Sequence, residues 1–428
     1  MSAFRLFFVI ALGSIFALGG LVELPVEAAE SATTNEKIDD LEHKVDVLSE
    51  ELRKLKEEQT VPEKPEYKST YGLGPAASKV YGKEQGISIG GYGEFNLKEV
   101  VSDKGDNTDV FDFVRLVTYL GYKFNDWIVF NSEIEFEHAA TDNGEVEVEF
   151  ATLDFLFHPA ANARAGLLLL PIGFLNEVHE PPFYHGNQRP EVERRIIPTT
   201  WRANGAGLFG EVGPVRYRMY VVSSLDASGF TSGDIREGRQ EGSEEIAENF
   251  SFVGRLDYAP LNGLLAGGSV YVGNSGQNHQ FSGADRDVFT ELYELHVEYK
   301  RYGLELRALA TLLEIGDAGA LSGDPAIAQT IANTSIGYYG EIAYDVLPLI
   351  LPNTTHYLAP WFRYSRVDTQ HDVPSGFAKD ETQDVQYYEV GLDYKPIPQV
   401  VIKLDYRNQD PEEGNAPDEV RFGAGFIF

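Results

Sequence analysis

Apolar residues occupy every second position of the stretch 420–428: Val420, Phe422, Ala424, Phe426 and Phe428, with Arg421, Gly423 and Gly425 between them. Successive side chains of a strand point to opposite faces, so this stretch has one apolar face and one small or charged face. Such a strand suits a barrel wall with lipid on one side and a wet interior on the other. The alternation recurs. Ile87, Ile89, Phe95 and Leu97 oppose Ser88, Tyr92, Glu94, Asn96 and Lys98. Ile128, Phe130, Ile134 and Phe136 oppose Asn131, Glu133, Glu135 and Glu137, and Val400, Ile402, Leu404 and Tyr406 oppose Lys403, Asp405 and Arg407. Charges on the second face are too frequent for the dry inner face of a soluble sandwich, where burying them is costly. The expected fold is all-β, an antiparallel transmembrane β-barrel.

Composition narrows the function. The chain has no Cys, which removes disulfides, thiolate metal sites and covalent haem attachment. Apolar residues make up 43%, and no internal stretch reaches the roughly 20 continuous apolar residues of a spanning helix. A net charge of −32 argues against nucleic acid, whose phosphates need clustered Lys and Arg. Carboxylates are abundant, but their lumen-facing alternation explains their spacing, so neither catalytic residues nor a cofactor is expected. His179 and His185 lie in one loop without a clustered third ligand, a poor case for a metal.

The chain divides into four parts. Residues 1–28 read as a signal peptide, with Arg5, the apolar run from Leu6 to Val22 and a small-residue cleavage site at Val26-Glu27-Ala28; the alternative is an uncleaved helical anchor. Residues 29–60 carry an a/d heptad (Ile38, Leu41, Val45, Leu48, Leu52, Leu55), which predicts a periplasmic coiled coil joining copies of the chain. A lone amphipathic helix on the barrel rim is the other reading. Residues 61–85, rich in Pro, Gly and charge, are expected to run as an extended tether. Residues 86–428 form the barrel. Seven short turns alternate with eight longer polar connections, predicting about sixteen strands with both termini periplasmic; 14 or 18 strands also fit.

The third long connection, from Pro171 to about Trp201, mixes Pro, aromatics, Glu, His and Arg, unlike its acidic neighbours. That mixture suits a segment folded inward to carry both signs of charge into the pore, where a charged constriction sets ion selectivity. The run Pro171-Ile172-Gly173-Phe174-Leu175-Asn176-Glu177, the Pro-aromatic loop and Trp201-Arg202-Ala203-Asn204-Gly205-Ala206-Gly207 resemble the phosphate-selective porin O and P family. The leader, the heptads and the tail strands Val400–Asn408 and Val420–Phe428 fit the same resemblance.

That likeness implies a homotrimeric, sixteen-stranded outer-membrane porin of a Gram-negative bacterium, passing small hydrophilic solutes and ions, phosphate-like anions among them, through a loop-3 constriction. The candidate constriction residues are Arg189, Glu191, Glu193, Arg194, Arg195, Arg202, Arg216, Arg218 and Arg255. The plainer reading pairs the arginines with lumen acids such as Glu133, Glu135, Asp257 and Asp405. The tail, with Phe422, Phe426 and Phe428, is similar to the signal that outer-membrane barrels present to the barrel assembly machinery. Other expected partners are outer-membrane lipid and lipopolysaccharide. The acidic connection 226–248 and the last loop argue against phosphate specificity, since a negative vestibule repels multivalent anions. Two rivals stand beside the porin: the sheath of a porin–cytochrome electron conduit, and a tether between barrel and periplasmic wall.

Overall fold

A computed structural model of the chain describes residues 43–44, 68–102, 104, 108–138 and 144–428. The signal peptide and the six heptad positions Ile38 to Leu55 lie outside the described residues. The chain separates into two units, Met1–Glu66 and Tyr67–Phe428, and the second holds the barrel.

The strands are β1 (Gly86–Val100), β2 (Val110–Lys123), β3 (Ile128–Glu137), β4 (Val146–His158), β5 (Ala161–Leu169), β6 (Arg202–Val212), β7 (Val215–Ser223), β8 (Phe250–Leu261) and β9 (Leu264–Asn274). A two-stranded hairpin, β10 (Gln280–Phe281) and β11 (Ala284–Asp285), decorates the next loop. The wall resumes with β12 (Phe289–Arg301), β13 (Leu304–Ile315), β14 (Thr334–Tyr344), β15 (Tyr357–Asp372), β16 (Asp384–Ile397), β17 (Val400–Pro411) and β18 (Glu419–Ile427). All but the hairpin close into one barrel of sixteen antiparallel strands, β1 pairing with β18. At the seam the Phe428 amide donates to the Gly91 carbonyl at 2.9 Å, and the Gly91 amide donates back to Phe428 at 3.0 Å.

The two faces sort as the alternation predicts. Ile87, Leu295 and Leu404 point outward and are exposed, whereas Glu133, Lys403, Asp405 and Arg407 point inward and are buried. Exposed aliphatic and aromatic side chains cover the outer wall, the surface a membrane barrel turns to lipid. The inner face is crowded. Gly423 and Gly425, the small positions of the tail strand, face segment 170–201 so closely that a Cβ there would meet Asn187 Oδ1 at 2.2 Å and Pro181 Cβ at 2.3 Å. Only glycine admits the segment at that distance.

Two expectations change. Residues 68–85 do not run as an extended tether: Thr70 and Leu73 form a bridge, and Ala77–Gly82 is a 3-10 helix with Ala77 and Val80 buried. The small apolar residues Ala76, Ala77 and Val80 find an apolar site against β1 to β3, and Glu180 accepts the Ala76 amide at 2.9 Å, so the segment gains more by docking than by staying solvated. Connection 224–249 is not simply an acidic outer loop. Its Leu225, Ala227, Phe230 and Ile235 are buried in one cluster with Val192, Ile196 and Trp201, because its apolar residues have no other place to leave water.

Candidate functional site

Segment 170–201 starts and ends on neighbouring strands, β5 and β6, yet its middle touches the opposite wall. Lys403 Nζ donates to the carbonyls of Tyr184 and Gly186 at 2.9 and 2.7 Å, and Arg363 Nη2 donates to that of His185 at 2.7 Å. The Asn187 amide donates to Asp405 Oδ2 at 2.9 Å, and Tyr339 donates to Glu193 Oε1 at 2.6 Å. The segment therefore lies inside the barrel. Pro171, Pro181, Pro182, Pro190 and Pro198 break regular structure, and its unpaired carbonyls are taken up by the wall cations instead. Its only α-helical turn is Val192–Arg195, whose buried Val192 faces the core while exposed Arg194 points away.

The candidate constriction residues do not form one ring. Arg189, Arg194 and Arg195 line a cavity of about 550 Å³ at the barrel end that carries the long loops. Arg216, Arg218 and Arg255 line a second, of about 580 Å³, at the end that carries the short turns. The segment contributes Gly173 to Leu175, Glu177, Val178 and Phe183 to the second cavity, and Tyr184, Asn187 to Arg189, Arg194 and Arg195 to the first. Arg202 lines neither; it is buried at the start of β6 against Glu147 at 2.5 Å and Glu241 at 3.5 Å. Glu193 is buried and accepts from Tyr339 and from the Leu175 amide, which pins the segment.

The two ends differ in how their charges are matched. At the turn end Arg216 pairs with Glu211, Arg218 with Glu177 and Asp257, Arg255 with Asp257, and Lys300 and Arg307 with Glu298, all within 3.2 Å. At the loop end six bases (Lys98, Arg115, Arg189, Arg194, Arg195, Arg236) face three acids (Glu94, Asp112, Asp234). Arg115 pairs with Glu94 and Glu135, and Arg194 with Glu191. Among the described residues no carboxylate comes within 4.0 Å of Arg189, Arg195 or Arg236. Arg189 donates to Thr199 Oγ1 at 3.4 Å, Arg195 to Gln383 Oε1 at 2.5 Å, and Arg236 to the Thr199 carbonyl. Burial and the neighbouring Arg189 and Arg194 guanidiniums push Arg236 below the usual arginine range, with Asp234 only partly opposing them. A cation destabilised by other cations marks a positive local potential.

Glu191 shows the opposite balance. Burial alone would raise its carboxyl, but Arg407, 2.8 Å away, with Arg194 and Arg195 holds it down to about 2. It is an ionised anchor between segment and wall.

The sequence did not reveal the part played by Arg236, which sits in a connection read as an outer acidic loop. Nor did it reveal the meeting of Glu133, Glu149 and His179, from β3, β4 and the segment, whose ligating atoms lie within 4.8 Å of one another. Spacing along the chain carries no signal for groups brought together by barrel closure.

No protein-family model matches the chain. An uncharacterized protein of Aquifex aeolicus (strain VF5) is 35% identical to it over 391 residues, 88% of this chain and 87% of that one. The two chains belong to one family. Among solved structures the barrel is similar to OmpF of Salmonella typhi, in a complex with daunomycin, with a TM-score of 0.54, 12% identity, and 81% of this chain and 98% of that one covered. In vitro folded OmpT of Vibrio cholerae, in its trimer form, gives 0.51 at 12% identity over 81% and 100% of the two chains. An anion-selective porin of Comamonas acidovorans gives 0.50 at 12% identity over 81% and 100%. The fold is that of outer-membrane porins.

Proposed function

We propose that the chain is a passive outer-membrane porin that admits small hydrophilic solutes and prefers anions, with segment 170–201 narrowing the lumen. The observation that carries the preference is the loop-end cavity, where Arg189, Arg195 and Arg236 lack a carboxylate partner in a chain of net charge −32. An acidic exterior with a locally positive interior favours a small anion once it has entered, and the screening length at physiological salt is only about 8 Å, so distant loop acids count for less than lining arginines. Inorganic phosphate belongs to this class. The likeness to an anion-selective porin agrees with this reading, as the likeness to a trimeric one agrees with a homotrimer.

The remaining expectations complete the reading. Residues 1–28 export the chain, the heptads at 29–60 support the trimer from the periplasmic side, and Phe422, Phe426 and Phe428 present the last strand to the assembly machinery. The outer face sits in lipid and lipopolysaccharide, and no step of catalysis is required. A sheath around a cytochrome would need a clear lumen, whereas here the segment is bonded across to β14, β15 and β17, which favours the porin. Reversal potential across a planar bilayer in a KCl gradient tests the proposal. A chloride-favouring potential supports it, a potassium-favouring one removes the anion preference, and no conductance from correctly folded trimers removes the porin.

A further inference from the structure

We propose that Glu133, Glu149 and His179 bind one divalent transition-metal ion that clips segment 170–201 to β3 and β4. His179 Nε2 lies 3.2 Å from Glu133 Oε1 and 3.2 Å from Glu149 Oε2. Three ligand atoms around a tetrahedral ion at about 2.0 Å stand about 3.3 Å apart, so both imidazole-to-carboxylate spacings already suit one, with all three ligand atoms within 4.8 Å of one another. A charge-assisted N–H···O bond would draw closer, to about 2.7–2.9 Å. The Glu149 oxygen, although this near, makes no hydrogen bond with the ring.

The ring is oriented for the task. His179 Nδ1 lies 3.2 Å from the Asn176 carbonyl, so an N–H there donates to it and leaves the Nε2 lone pair directed at the two carboxylates. Asn176 is itself held, donating to the carbonyls of Leu170 at 2.7 Å and Trp201 at 2.8 Å. The second oxygen of Glu149 accepts from the Thr200 hydroxyl. These contacts supply the supporting layer that metal-binding His and carboxylates require.

Two further observations point to a missing cation. Tyr92 is fully buried with its ring centre 5.9 Å from that of His179, and its hydroxyl has no hydrogen-bond partner. Glu133 Oε2 is likewise buried and unpartnered. Acids outnumber bases here: Arg115 is shared by Glu94, Glu135 and Glu137, and Glu180 accepts only from the neutral Ala76 and Ala77 amides. A divalent ion at Glu133 and Glu149 supplies two of the missing positive charges, whereas a proton on the ring supplies one. The imidazole favours Zn²⁺ over Ca²⁺ or Mg²⁺, which prefer oxygen donors only, and Mn²⁺, which accepts both donor types more weakly, serves as the spectroscopic stand-in.

The test is metal binding by chelator-stripped, full-length trimers, followed by calorimetry with Zn²⁺ and with Mn²⁺. The expected result is about one ion per protomer, a higher unfolding temperature with metal, and binding weaker by at least about tenfold in Glu149→Gln and His179→Gln. Ca²⁺ should compete poorly. Should either variant fail to fold, pulsed electron paramagnetic resonance of Mn²⁺ on the wild-type barrel decides: coupling to an imidazole nitrogen is expected, and its absence overturns the site. Substoichiometric binding of both ions also overturns it, leaving a proton on Nε2 as the sole occupant. Binding that survives both substitutions does the same.

Discussion

Replacing Arg189, Arg195 and Arg236 together by Gln keeps hydrogen-bonding side chains at the loop-end cavity but removes the three cations without carboxylate partners. A sphere of the cavity's 550 Å³ has a radius of about 5 Å, so each guanidinium stands about 6 Å from an ion at the centre. In water such a pair is worth about 0.7 kcal/mol, and a Debye length of about 10 Å at 0.1 M salt leaves about 0.4. Three charges give about 1.1 kcal/mol. An anion loses that amount and a cation gains it, so the anion-to-cation permeability ratio should fall about fiftyfold. At 1 M salt, with a Debye length of about 3 Å, the same sum predicts only about threefold. The assay is reversal potential at both salt concentrations. Arg216→Gln serves as a control, since Arg216 is solvent-exposed and paired with Glu211 at the other end, and it should leave the ratio within about twofold. A triple variant whose ratio at 0.1 M moves less than about threefold, or moves equally at both salts, would refute the placement of the selective charge.

Four more perturbations follow from the geometry. Arg407→Met strands Glu191 in a buried position and should weaken docking of segment 170–201 by about 3–5 kcal/mol, seen as trypsin cleavage after Arg194 or Arg195 in barrels that stay folded; resistance equal to wild type rejects the pairing. The Glu191 carboxyl lies near 2 when folded against an ordinary 4.5, so its contribution, about 3 kcal/mol, is present above the ordinary value and lost as pH falls through about 2. Docking, followed by the fluorescence of buried Trp201, should thus survive at about pH 4. His185 has the opposite sign: burial lowers it, but Glu341, Asp393 and Glu305 outweigh burial and raise it above 6.5. Its contribution is complete below 6.5 and fades as pH rises through the raised value, so cleavage should increase in alkali and His185→Gln should weaken that dependence. Leu295 is 71% exposed midway along β12, and Leu295→Arg should cost about 2–4 kcal/mol of barrel stability in bilayers, read from the urea midpoint; a neutral effect argues against lipid on that face.

Local alternation alone determined the barrel. Because side chains flip face at each residue, Val420 to Phe428 and Val400 to Arg407 declare both an outer apolar surface and a polar interior without any knowledge of their neighbours. The rhythm of short turns and long connections gave the strand number for the same reason, as each hairpin is a local event. The unusual mixture of residues in 171–201 also marked that segment as different from its neighbours. What the sequence could not supply was partnership. Pairing of Arg218 and Arg255 with Asp257 was one of two readings the sequence left open, and the β7–β8 hairpin decides for it, while Arg236, far from the segment in the chain, arrives next to Arg189 and Arg194. His179 lacked neighbouring ligands along the chain, yet β3 and β4 bring it Glu133 and Glu149. Coulomb interaction, hydrogen bonding and metal ligation act over a few ångströms of space, and in a closed barrel that distance joins residues which the sequence holds far apart.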